Sequence, residues 1–102
     1  MCDKINMVKD MREYEFNGIK YVIEKDENKI FNYEELKEMI TDYFNVYDYI
    51  FGDIAYGKLR LKGFCNKENK NFKKINDIAN LDNYIKDYCA VGCKWFLIKK
   101  CN

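Results

Sequence analysis

The chain has 102 residues, of which 48% are apolar and 34% charged, and its 18 basic and 17 acidic side chains leave a net charge of +1. That length carries one hydrophobic core, and that composition belongs to a folded domain rather than a disordered chain. There is no His, Ser, Gln or Pro and a single Thr, Thr41, so a Ser-His-Asp triad, a Cys-His dyad and any His-ligated metal are excluded within the chain.

The first predicted element is a hairpin. Asn17-Gly18 is the dipeptide favoured in a two-residue type I′ loop, where both positions need positive φ. That loop pairs Phe16 with Ile19, Tyr14 with Tyr21 and Arg12 with Ile23, and it puts the apolar members on one face. A polar turn over 26–29 follows. The next element is a helix with Asn32 as N-cap and Glu35 as its capping-box partner. Leu36, Met39, Ile40, Tyr43 and Phe44 follow i, i+3, i+4, i+7, i+8 and form its apolar stripe. Asn45 is the expected stop.

Residues 47–51 read as a strand, 52–57 as a turn or loop, and 58–64 as a second strand. There Leu59 and Leu61 point one way and Lys58, Arg60 and Lys62 the other. A polar loop over 66–71 leads to a short further strand at 72–75. A second helix carries Leu81, Tyr84, Ile85, Tyr88 and Cys89 on one stripe, with Asn80 as N-cap and Gly92 as stop. The last element, 94–100, holds four consecutive apolar residues, so it is expected to be buried on both faces and central in the sheet. The predicted order is β-β-α-β-β-(β)-α-β. This is an α+β fold in one domain over 1–102: a mostly antiparallel sheet of five to six strands with two packed helices.

No stretch approaches the roughly 20 apolar residues of a membrane span, and residues 1–10 lack a signal-peptide core. A cytoplasmic protein with no membrane partner is expected. Five cysteines, Cys2, Cys65, Cys89, Cys93 and Cys101, are an odd number, which suggests free thiols rather than a disulfide framework. Cys89 and Cys93 are spaced C-x3-C, but the second tight pair of a four-thiolate zinc site is missing. Neither a metal nor another cofactor is expected. Asp48 and Asp53 lie five apart and need not share a face; Asp53 after Gly52 reads as a turn residue.

Charge is unevenly spread. Residues 24–53 hold nine acids and three bases, and residues 58–74 hold seven bases and one acid. Cations alternating with leucines, an aromatic at Tyr56 and further cations at Lys73 and Lys74 are the ingredients of a sheet-based RNA surface. The candidate nucleic-acid-binding set is Lys58, Arg60, Lys62, Lys73, Lys74 and Tyr56. Gly52, Asp53 and Gly57 form a candidate loop site. The bland alternative for the same residues is a solvated strand face.

Residues 47–64, YDYIFGDIAYGKLRLKGF, and 88–100, YCAVGCKWFLIKK, resemble in order and spacing the YutD-like family of small cytoplasmic proteins of Gram-positive bacteria. Ile54-Ala55 stands where the family pattern has Trp-Gly. The resemblance implies a fold and assigns no activity. Three function classes follow in order: a non-catalytic module contacting RNA or a ribonucleoprotein through the basic face, a protein–protein adaptor docking a basic partner on the acidic half, and a small enzyme using Asp, Lys or Tyr.

Overall fold

Positive φ at Asn17 (55°) and Gly18 (79°) turns β1 (Glu13–Phe16) back onto β2 (Ile19–Lys25). The ladder pairs Tyr14 with Tyr21 and Phe16 with Ile19, the register that the turn chemistry and apolar alternation predict. The computed structural model describes residues 13–89 and 92–101; the expected pairing of Arg12 with Ile23 falls outside them.

Helix α1 (Tyr33–Met39) begins as expected, with the Asn32 side chain accepting from the backbone N–H of Glu35 at 3.1 Å. It ends sooner than its apolar stripe suggests. Ile40 is extended, and the Thr41 hydroxyl accepts from the N–H of Tyr43 at 3.4 Å to start a 3₁₀ turn over Asp42–Val46. A hydroxyl that bonds nearby backbone offers the chain an alternative to continued α-helix. Leu36, Ile40 and Phe44 stay buried across the break, but Tyr43 is turned out and is 64% exposed.

The next hairpin is tighter than the sequence reading. β3 (Tyr49–Ala55) and β4 (Lys58–Phe64) are joined by Tyr56-Gly57 alone, with φ of 53° and 75°. The expected loop over 52–57 is therefore corrected: Gly52 and Asp53 are strand residues, and only Gly57 sits in the turn. Gly52 is required by packing, since a Cβ there would lie 2.4 Å from the Phe96 ring. No sixth strand forms over 72–75. The chain there runs into a 3₁₀ turn at Lys74–Asn76, and a single parallel bridge joins Cys65 to Asp77.

Helix α2 (Leu81–Tyr88) follows, and β5 (Trp95–Lys100) closes the chain. Strand order is β1-β2-β5-β3-β4, with every ladder antiparallel. β5 is central, as its unbroken apolar run requires. Alternation splits the core into two layers. Phe16, Tyr21, Ile50, Phe96 and Ile98 meet α1 and the 3₁₀ turn on one face. Phe51, Phe64 and Leu97 meet Leu81, Tyr84 and Ile85 of α2 on the other. The helices thus cover opposite faces of one sheet, and β4 is left as an uncovered edge. No helix among the described residues is long and apolar enough to cross a membrane.

Candidate functional site

Pairing across the Tyr56-Gly57 turn decides where each cation of β4 goes. Residues 58, 60 and 62 share the α2 face, as alternation demands, but they do not form one bare basic surface. Arg60 lies opposite Asp53 in the ladder and grips it: Nη2 donates to Oδ2 at 2.6 Å and Nε to Oδ1 at 3.2 Å. Asp53 is 2% exposed. Its hydrogen bond with Arg60 pushes the guanidinium pKa up. Lys62 extends over the rings of Phe64 and Tyr84, 5.2 and 5.6 Å from their centroids. Lys58 and Tyr56 project at the hairpin tip, where Tyr56 is fully exposed. Asp48 and Asp53 serve separate parts of the fold. Asp48 accepts from the backbone of Asn66 and the side chain of Asn69, so it fastens the 66–69 loop.

The structure instead gathers a groove of about 500 Å³ at the β4 edge. Lys62 comes to it from β4, Lys70 and Lys73 from the following loop, Tyr43 and Tyr47 from around the 3₁₀ turn, and Phe72 from the loop. Of the predicted basic set it contains Lys62 and Lys73; Lys74 is exposed beside it. No carboxylate is among the described residues lining it. Among the described residues, no acid lies within ion-pairing distance of Lys58, Lys62, Lys67, Lys70, Lys73 or Lys74. The Tyr43 and Tyr47 hydroxyls meet at 3.2 Å; that bond, with partial burial, pushes Tyr47 up to about 12. Sequence reasoning placed Tyr43 in the core stripe of a longer helix. The helix break at Thr41 is what delivers its ring to the groove.

A second cavity, of about 300 Å³, lies beside the hairpin tip and is lined by Asp53, Arg60, Tyr56, Tyr88, Cys89 and Cys93, among others. The Cys89 thiol donates to Asp53 Oδ2 at 3.4 Å. Burial first, then hydrogen bonds with Cys93 and Asp53, push this thiol far above its ordinary range. Cys65, Cys89 and Cys93 are free thiols. Cys101 is disulfide-bonded, against the expectation of free thiols throughout. An odd total requires only one unpaired thiol and leaves room for a bridge.

These features define a small α+β domain with an antiparallel sheet between two helices and a basic, aromatic groove at one sheet edge. A family model described as "Putative antitoxin YutD-like" matches residues 15–99, and the chain belongs to the YutD-like family. It is 46% identical over 70 residues to the protein named "Putative antitoxin YutD" of Bacillus subtilis (strain 168), covering 69% of this chain and 77% of that one. It is also similar to the solution NMR structure of protein YutD from B. subtilis. The TM-score is 0.72 at 35% identity, over 89% of this chain and 83% of that one. Ile54 and Ala55 end β3 and line the second cavity.

Proposed function

We propose that this chain is a non-catalytic binding module that holds single-stranded RNA, free or in a ribonucleoprotein, in the groove at the β4 edge. One observation carries the reading: three lysines and four aromatic residues line one concavity with no carboxylate among its described residues. Single strands are held by cations that track phosphates and by rings on which bases stack. Lys70 and Lys73 supply cations inside the groove, and Lys62, whose ammonium rests over the Phe64 and Tyr84 rings, supplies a third at the same sheet edge. Tyr43 and Phe72 supply stacking faces, and Lys74 extends the positive edge. Lys58 and Tyr56 offer a second contact at the hairpin tip, while Arg60 is committed to Asp53 and serves the fold. Gly57 acts by shaping the turn that presents Tyr56.

A protein partner is the second reading. Tyr43, Val46 and Ile75 are 64%, 44% and 74% exposed, more apolar surface than phosphate contacts need. The relative named as an antitoxin agrees with a partner of either class. The distribution of charges favours the groove over the acidic half as the docking face, since Asp26, Asp48 and Asp53 already serve hydrogen bonds inside the fold. Fluorescence anisotropy with a labelled single-stranded RNA pool at low salt tests the first reading. Saturable binding that unlabelled RNA competes away supports it; no binding transfers the groove to the protein reading.

A further inference from the structure

The second cavity holds a set of groups that the RNA reading does not use. The ligand atoms of Asp53, Cys89 and Cys93 all lie within 4.8 Å of one another. Asp53 is fixed on a strand paired on both sides. Cys89 is the C-cap of α2, and Cys93 follows the Gly92 turn. We propose that Asp53, Cys89 and Cys93 form a zinc site, with three protein ligands and a fourth position open to the cavity.

Four physical points support this assignment. A tetrahedral zinc ion with Zn–S near 2.3 Å and Zn–O near 2.0 Å sets its ligand atoms about 3.5 to 3.8 Å apart. Cys89 Sγ and Asp53 Oδ2 are already at 3.4 Å, and small side-chain rotations bring in Cys93. The spacing of three intervening residues falls within the range of paired zinc thiolates. Two sulfurs with one carboxylate favour zinc over magnesium or calcium, which take oxygen. Charge also closes: on binding, two thiols release two protons to solvent, and Zn²⁺, two thiolates, the carboxylate and the Arg60 guanidinium sum to zero. Arg60 then orients the ligand carboxylate by donating to both of its oxygens, and Oδ2, which also meets the Cys89 thiol, is the oxygen nearest the ion. The four-thiolate set weighed on sequence grounds fails because Cys65 is buried in another part of the fold, beside Asp48, and Cys101 is in a disulfide. Asp53 takes their place, and its strand position is what the sequence reading missed.

The test is titration of the metal-free full chain with Co²⁺, whose thiolate complexes absorb strongly in the near ultraviolet. One equivalent is expected to give a thiolate-to-cobalt band and tetrahedral visible bands, and Zn²⁺ is expected to erase both. Cys93→Ser is expected to weaken binding at least tenfold and to lower the near-ultraviolet band. One equivalent of Zn²⁺ at high occupancy is expected to raise the Tm of the parent chain by at least about 5 °C, and not that of a folded Cys93→Ser. Should Cys93→Ser fail to fold, Cys93→Ala is titrated in its place. Absence of a thiolate band at millimolar Co²⁺, or a band of full intensity in the Cys93 variant, overturns the site.

Discussion

Arg60→Ala removes the partner of a carboxylate that is 2% exposed. The pair makes two charge-assisted hydrogen bonds, at 2.6 and 3.2 Å, and Cys89 adds a weaker one. Breaking a fully buried pair costs about 3–5 kcal/mol, because the remaining charge is stranded. An exposed pair is worth about 0–1 kcal/mol. Here the Arg60 side chain is 47% exposed, so water can reach the vacated side of Asp53, and a loss of about 2 kcal/mol is expected. The reverse change is milder. Asp53→Asn leaves Arg60 free to swing into solvent, and the amide keeps the shape and one acceptor, so about 1 kcal/mol is expected. Combining them removes the stranded charge, so the double variant should sit near Asp53→Asn alone. That means a coupling energy of about 2 kcal/mol, well above the scatter of independent sites. Urea denaturation of chelator-treated protein at pH 7 measures all four states. The reasoning fails if Arg60→Ala costs under 0.5 kcal/mol, or if the two losses simply add.

Three further outcomes are expected. Gly52→Ala would drive a Cβ to 2.4 Å from the ring of Phe96, which is fully buried; a loss of about 2–3 kcal/mol is expected by denaturation, and a stability gain would contradict the packing. Tyr56→Asn should stabilise by about 0.5–1 kcal/mol, since Tyr56 holds φ of 53° with no burial to compensate and Asn tolerates that region better; a loss would show that the exposed ring makes a stabilising contact. Burial raises Tyr21 from 10.0 to about 12. Its raised folded pKa makes the contribution complete below pH 10 and lost as pH climbs toward 12, at about 1.4 kcal/mol per pH unit within that window. Tyr21→Phe should therefore show a flatter decline of stability above pH 10, and an unchanged slope would refute this.

Local chemistry made some of this legible. Asn17-Gly18 has one good conformation, so its hairpin register followed, and the apolar run of β5 required the central position that it occupies. The second hairpin was hidden because Tyr56 is a poor signal for positive φ. The loop over 52–57 therefore looked longer than it is. Once the turn is placed at 56–57, pairing 55 with 58 and 54 with 59 puts Arg60 opposite Asp53. The ion pair was thus one turn assignment away from the sequence. Periodicity also hid the end of α1, because Leu36, Ile40 and Phe44 remain buried through the change to 3₁₀ geometry. The groove and the meeting of Asp53 with Cys89 and Cys93 are tertiary. They depend on where a loop and a helix end come to rest against the sheet, which spacing alone does not encode.

The most direct measurement of the proposed RNA role is the salt dependence of binding to a single-stranded RNA, by anisotropy, for the parent chain and for a triple change of Lys62, Lys70 and Lys73 to Ala. Single-strand binding loses about 0.7 log units of affinity per log unit of salt for each neutralised phosphate. If each lysine meets one phosphate, the triple variant should bind more weakly at low salt and show a slope about 2 units flatter. Lys58→Ala should change the slope by less than one unit, since it projects at the hairpin tip rather than in the groove. A parent chain that does not bind, or a triple variant with the parent's affinity and slope, contradicts the assignment.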